Sequence, residues 1–379
     1  MKNKGITLVA LVITIIILLI LVGVAITSLT NTGLFENAKQ AKNAMENAEN
    51  IENATLSSYE KKIENYSTEN EIKLKNVDEN ANIILSTTEN IKLQDKYGNK
   101  IIIPAGFKIV VNDNTNNATT VDKGIVIEDV TESATKGSQF VWIPVGTIYT
   151  DVEHKEKNKK VIDIDRYDFD LVTGEEKKYS GSYIEEDKGN KDVILLNRGN
   201  TIAKNITEFK NSVSSNNGYY IGRYEARKKV INGKEEVTET KEDTLWNYVT
   251  QPTAASISQN MYKNEKFGSD LTNSYAWDTA ITFIQKCTEE KTYSKRTSLN
   301  VNSISLTGTS IDNKCNIFDM ASNISEWTTE TVDSTSTPCI IRGGNYYSNN
   351  YWTSARREVT TETNKCIGFR PIIYFVNEK

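Results

Sequence analysis

The chain of 379 residues has a single histidine, His154, with only five prolines and four cysteines. One histidine, placed in the charged run "DVEHKEKNKK", excludes the His-rich centres that zinc and non-haem iron enzymes build. The cysteines, Cys287, Cys315, Cys339 and Cys366, make no Cys-x-x-Cys pair, which argues against a zinc knuckle or a thioredoxin-type motif. One or two disulfides stay open for a domain outside the cell, with a connectivity that spacing does not assign. A basic excess is also missing. The 45 Lys and Arg face 50 Asp and Glu, and the net charge of -5 has the wrong sign for a nucleic-acid-binding domain. With so little Pro and 20 Gly, the chain is not of low complexity.

What is present begins at the N-terminus. Residues 6–26 contain no charge, Pro or Asn. As a helix they would run about 31 Å at ~1.5 Å per residue, enough to cross a hydrocarbon core. Lys2 and Lys4 precede them, so the positive-inside rule predicts a cytoplasmic N-terminus and a single-pass protein of the cell membrane. The C-terminal domain is then extracellular. The order of basic leader, Gly5 and apolar run resembles the leader of type IV pilins and pseudopilins. That resemblance implies cleavage between Gly5 and Ile6 by a prepilin peptidase, and placement in a pilus-like assembly. Ala10 stands where that family carries Glu, and an uncleaved signal anchor is the other reading. Beyond it, Leu34, Ala38, Ala41, Met45, Ala48, Ile51, Leu56, Tyr59 and Ile63 recur at mostly three- and four-residue spacings, which predicts a helical stalk.

Three segments follow from this pattern. Residues 1–64 are read as leader, transmembrane helix and stalk. Residues 65–136 form a β-rich connecting segment, from the short β-branched runs in "KIIIPAGFKIVV" and "GIVIEDV". Residues 137–379 make a head, with an exposed charged insertion over 151–200.

The head carries five stretches in order: "GSQFVWIPVG" at 137–146, "GYYIGRYEARK" at 218–228, "NSYAWDTAITFIQ" at 273–285, "NIFDMASNISEWTTE" at 316–330, and "RGGNYY" at 342–347 followed by "IGFRP" at 367–371. Together they resemble the formylglycine-generating-enzyme (sulfatase-modifying factor) domain. The resemblance implies a C-type-lectin-like fold for the head. The expected fold class is therefore α+β: a long N-terminal transmembrane and stalk helix, a small β-rich segment, then an irregular head. The residues support parts of this independently. Trp277, Ala280, Ile281 and Ile284 share one helical face, "QFVWIPV" suits a buried strand, and Trp327 and Phe369 suit a core. Asp278 is expected in the first turn of its helix, facing the helix dipole.

Enzymes of that family oxidise a substrate cysteine with copper held by two cysteines a few residues after the Gly-Gly pair. Here those positions fall on Ser348 and near Thr353. A hydroxyl does not replace a soft sulfur ligand for Cu(I), so neither copper nor catalysis is expected. Iron chemistry with His ligands is not supported by His154 alone. Calcium is the candidate cofactor that the resemblance implies, with Asn323 and Glu326 at matching positions and suitable oxygen ligands. The alternative there is a surface turn.

The loop 345–357 is then read as a surface for an extracellular protein or glycan. Tyr346, Tyr347, Tyr351 and Trp352 offer rigid amphipathic contacts. Asn345, Ser348, Asn349, Asn350, Thr353 and Ser354 offer adaptable hydrogen bonds, a mix that antibody paratopes also use. Arg356 and Arg357 could clamp a carboxylate, or one could be structural. The same fold serves targets of diversity-generating retroelements, and the Asn/Tyr/Ser-rich stretch is compatible with that origin. The alternatives are a minor pilin with a structural head, and an enzyme of altered chemistry.

Overall fold

The structure, a computed structural model, describes residues 8–31, 39–46, 48, 74–185, 199–231, 233–241, 244–298 and 303–376. The chain divides into two compact units, Met1–Lys73 and Leu74–Lys379.

In the first unit α1 spans Leu8–Asn31, and residues 39–46 and 48 are helical. The side chains described in α1, those of residues 12–24, are exposed. Among the described residues no helix is long and apolar enough to cross a membrane. This overturns the expected long N-terminal transmembrane and stalk helix, and with it the single-pass membrane placement through residues 6–26. The structure is instead mostly small sheets with few helices. Gly5 and Ile6, and most of the expected stalk, lie outside the described residues.

The second unit is organised by two sheets. Its strands are β1 (Phe107–Val110), β2 (Val126–Asp129), β3 (Gln139–Pro144), β4 (Gly218–Gly222), β5 (Phe267–Leu271), β6 (Asn313–Lys314), β7 (Ile317–Phe318), β8 (Ser325–Thr331), β9 (Cys339–Arg342), β10 (Arg356–Val359), β11 (Ile367–Gly368) and β12 (Pro371–Phe375). Its helices are α2 (Ile206–Asn216), α3 (Gln251–Met261) and α4 (Ser274–Cys287). The larger sheet runs β5-β12-β4-β3-β2-β1, with every neighbouring pair antiparallel. Segment 74–136 is thus no separate connector, because β1 and β2 lie in the same sheet as β3. The charged insertion contributes two small hairpins, pairing Gly146–Ile148 with Lys160–Ile162 and Tyr167–Phe169 with Glu176–Lys178.

The sequence explains the centre of this sheet. β3 is a continuous apolar run, buried from Phe140 to Pro144, as a strand covered on both faces should be. In β4 successive side chains leave on opposite faces. Tyr219 donates its hydroxyl to the Ala276 carbonyl of α4 at 2.5 Å, and Tyr220 donates to the Ile102 carbonyl at 2.8 Å. One strand therefore pins a helix to one face and the Lys100–Ile103 strand to the other. The sheet also curls. Its two edge strands meet through Phe107 and Phe267, whose ring centroids lie 6.0 Å apart with Tyr262 beside both.

The smaller sheet runs β10-β9-β8-β11 and is antiparallel except for the parallel β8–β11 pair. α4 starts at Ser274 because the Asn273 side chain accepts from the Ala276 N–H at 2.8 Å. Trp277, Ala280, Ile281 and Ile284 are fully buried, as their spacing predicts. Asp278 lies beyond the first turn and has a different role, described below.

Trp277 also donates its indole N–H to the Thr353 carbonyl at 2.9 Å, so it links helix, sheet and the 345–357 loop. Truncating it to Ala is expected to lower unfolding free energy by ~3–5 kcal/mol. Urea denaturation of the two proteins measures this.

Candidate functional site

The 345–357 loop connects β9 to β10 and rests on a buried array of charges. Asp278, in α4, accepts hydrogen bonds from both Arg342 and Arg356 and from the Tyr167 N–H at 2.9 Å. Glu330, in β8, takes Arg356 Nε on both oxygens at 2.9 and 3.1 Å, and is also paired with Arg166. Arg342 completes the array with Nη1 at 3.5 Å from Glu330, and its Nε donates to the Ala355 carbonyl at 3.0 Å. The Asp278, Glu330 and Arg342 side chains are all fully buried. Burial opposes the charge on Arg356, but Asp278 and Glu330 outweigh it and hold this guanidinium above its ordinary range. Buried charges are tolerated here because each has an opposite partner. The base of the loop is thereby fixed to α4 and β8.

A hydroxyl fixes the second anchor. Ser325 Oγ accepts from Asn345 Nδ2 at 3.2 Å and from Arg357, and donates to the Gly344 carbonyl at 3.2 Å. The two glycines are required by close approach. A Cβ on Gly344 would sit 2.2 Å from the Ala321 carbonyl oxygen. One on Gly343, where φ is +77°, would sit 2.5 Å from that of Met320.

These anchors divide the expected site residues. Asn345 and Thr353 are buried. Thr353 donates its N–H to the Arg296 carbonyl at 2.9 Å, and its hydroxyl donates to the same carbonyl at 3.2 Å. Arg356 is committed to the charge array and does not face a ligand. Arg357 lies over the Tyr351 ring, 3.7 Å from its centroid, and burial pulls its guanidinium down from its usual range. The surface itself is Tyr346, Tyr347, Ser348, Asn349, Asn350, Tyr351 and Trp352. Among these, Tyr347 is 65% exposed and Trp352 41%.

Two further residues, Lys365 and Tyr248, complete the surface and carry no sequence signal that marked them. Lys365 Nζ sits 4.9 Å from the Tyr347 ring centroid. Burial and a hydrogen bond with the Cys366 thiol push the Tyr346 hydroxyl up to about 12. Tyr248 is 63% exposed and has φ of +52°, a strained conformation for a bulky side chain. It is held there by its N–H on the Asn364 carbonyl at 3.2 Å.

Asn323 and Glu326 have internal partners. Asn323, with φ of +62°, donates from Nδ2 to Glu225 at 2.5 Å and accepts from the Ser305 N–H at 2.9 Å. Glu326 is bridged by Arg370 Nε at 2.9 and 2.7 Å. Among the described residues no group of three His, Cys, Asp or Glu side chains is arranged to hold a metal ion.

Residues 252–374 match the family model described as the Sulfatase-modifying factor enzyme 1-like domain. The chain carries a domain of that kind. The matched stretch includes α4, β8, β9, the loop and β12, which are the elements that build the surface and its platform. No curated protein matches the chain. Among solved structures, one named "Crystal Structure of CarF" is similar at 13% identity over 42% of this chain and 87% of that one. Its TM-score is 0.29, too slight a likeness to argue from. Copper of the kind the family's enzymes use does not fit the loop. Its two positions present the Ser348 hydroxyl, which accepts from the Asn350 N–H at 3.1 Å, and the buried Thr353 hydroxyl.

Two tests follow from this geometry. Replacing Arg356 with Met leaves Asp278 and Glu330 short of a cation, and a loss of ~3–5 kcal/mol in unfolding free energy is expected by chemical denaturation. The second concerns Asp319. Burial pushes its carboxyl up to about 7, with Asp312 adding to it and hydrogen bonds from Ser310 and Ser322 opposing. The folded state then holds a proton that an unfolded Asp, near ~3.9, gives up. Its contribution is complete below about pH 4 and is lost as pH rises through 7. Asp319→Asn should therefore raise Tm relative to the parent at pH 8 and by much less at pH 5. Equal shifts at both values would refute the assignment.

Proposed function

We propose that this domain is a ligand-binding module without formylglycine-generating activity, and that it takes a protein ligand on the surface around Tyr347. The observation that carries the reading is the exposed aromatic group Tyr248, Tyr347 and Trp352 on a base held by buried ion pairs. Exposed aromatics normally cost solubility, and aromatics on an anchored loop beside Asn and Ser are the composition that binding loops use. Rigidity matters because little ordering entropy remains to be lost on binding. Lys365 and Arg357, each against a Tyr ring, add positive charge at the edge and favour an acidic partner surface. The strained backbone of Tyr248 fits a residue kept for contact and not for packing. Diversification of the loop by a retroelement is compatible with this reading and is a matter for the neighbouring DNA.

The absence of catalysis rests on Ser348 and Thr353, whose hydroxyls stand where the family's enzymes carry the copper-binding thiols. The protein incubated with Cu(I) and a Cys-containing peptide is expected to leave the thiol intact by mass spectrometry. Formation of the aldehyde would return it to the enzymes.

For binding, the protein would be used to probe a protein array and a glycan array in parallel. Retention on a protein target is expected, weakened at least tenfold by Tyr347→Ala or Trp352→Ala with Tm unchanged. Retention on glycans alone would replace the protein ligand with a carbohydrate. Binding that ignores both substitutions would sink the assignment of this surface.

A further inference from the structure

The four thiols are all free and fall into two classes by position. Cys339 and Cys366 flank the loop in sequence, yet they lie at opposite ends of β8. Cys339 pairs in register with Thr331, and the Cys366 carbonyl accepts from the Ser325 N–H at 2.9 Å. Ser325 and Thr331 are the two ends of that strand, ~20 Å apart at ~3.3 Å per residue. The two cysteines also approach β8 from opposite sides, through β9 and β11. A disulfide needs Cα atoms within ~7 Å, so this pair does not bridge.

Cys287 and Cys315 are placed differently. Cys287 is the last residue of α4, and both thiols line one open cavity of about 600 Å³ together with Asp122, Lys123, Asn313 and Asn316. Both are half-buried and pack against the same core cluster. Cys315 Sγ is 3.8 Å from the Asp122 carbonyl oxygen. Burial raises the Cys315 thiol, and Cys287, lining the same cavity, adds to it.

The backbone at Cys315 adds an independent observation. β6 and β7 form a hairpin joined by Cys315 and Asn316, with φ of +49° and +65°. A two-residue turn with both φ values positive favours Asn or Gly at its two positions. Asn316 meets that preference, and Cys315 does not. A cysteine held in the left-handed region, on the wall of a cavity that a second cysteine also lines, is poorly explained by turn chemistry alone.

We propose that Cys287 and Cys315 are a redox pair that closes to a disulfide, joining the C-terminal end of α4 to the β6–β7 turn. The oxidant is a second disulfide, of a small molecule or of a thiol–disulfide oxidoreductase. One thiol, deprotonated, attacks that disulfide and releases one thiolate from it. The other thiol, deprotonated, then attacks the mixed disulfide and releases the second thiolate. The two cysteines lose two electrons and two protons, and the oxidant becomes a dithiol, or two thiols. The cross-link ties the hairpin to the helix that carries Trp277 and Asp278.

The test equilibrates the full chain, natively folded, with oxidised glutathione. Remaining thiols are alkylated, and non-reduced peptides are mapped by mass spectrometry. The expected product is one cross-linked peptide pair holding Cys287 and Cys315, with Cys339 and Cys366 alkylated and no cross-link in Cys315→Ser. Oxidation should also raise Tm by about 5 °C in the parent and leave Cys287→Ser unchanged. Alkylation or glutathionylation of both Cys287 and Cys315 without a cross-link, or a cross-link to another cysteine, would overturn the proposal. The peptide map reads the bond directly and does not depend on ligand binding, so it stands or fails apart from the proposed function.

Discussion

The buried array of Asp278, Glu330, Arg342 and Arg356 is the constraint on which the loop surface depends. Four separate elements meet there. α4 brings one carboxylate, β8 brings the other, and the two arginines end β9 and begin β10 on either side of the loop. Each side chain taken alone would be a desolvated charge of prohibitive cost, so the elements can pack only together. The array thus acts as a position lock. It sets where the chain leaves β9, where it re-enters β10, and hence which residues between them face outward.

The second buried pair, Glu326 with Arg370, does similar work at the other side of β8. Arg370 also reaches the Gly222 and Phe318 carbonyls at 3.0 and 2.9 Å, so it ties both sheets and the β6–β7 hairpin together. The two polar sites bracket β8 and explain why that strand is buried along its whole length although its sequence, "SEWTTET", reads as polar. Its hydroxyls are satisfied inside, as Thr328 shows by donating to the Ile340 carbonyl at 2.7 Å.

Exposed and scaffold residues are therefore separated within one short segment. Asn345, Thr353, Arg356 and part of Arg357 serve the scaffold, while Tyr347, Asn349, Asn350 and Trp352 face solvent. Such a division leaves the outward residues free to vary without loss of the fold. It also puts the surface where tertiary neighbours, Tyr248 and Lys365, can widen it.

The sequence by itself determined the local elements with strong periodic or capping signals. Asn273 begins α4, the spacing of Trp277, Ala280, Ile281 and Ile284 buries one face, and "QFVWIPV" becomes the covered central strand. The ordered motifs also led to the domain that residues 252–374 match. It could not separate solvent-facing from structural residues in the loop, because Arg356 and Arg357 are neighbours of the same type and differ only in what lies across from them. It did not show that residues 107–129 join the head's sheet, since strand pairing between distant segments leaves no local mark. The membrane helix failed as an expectation, since among the described residues no helix is long and apolar enough to cross a membrane. Tyr248, Lys365 and the cavity that Cys287 and Cys315 share were decided only by tertiary structure, which alone brings residues far apart in the chain within reach of one another.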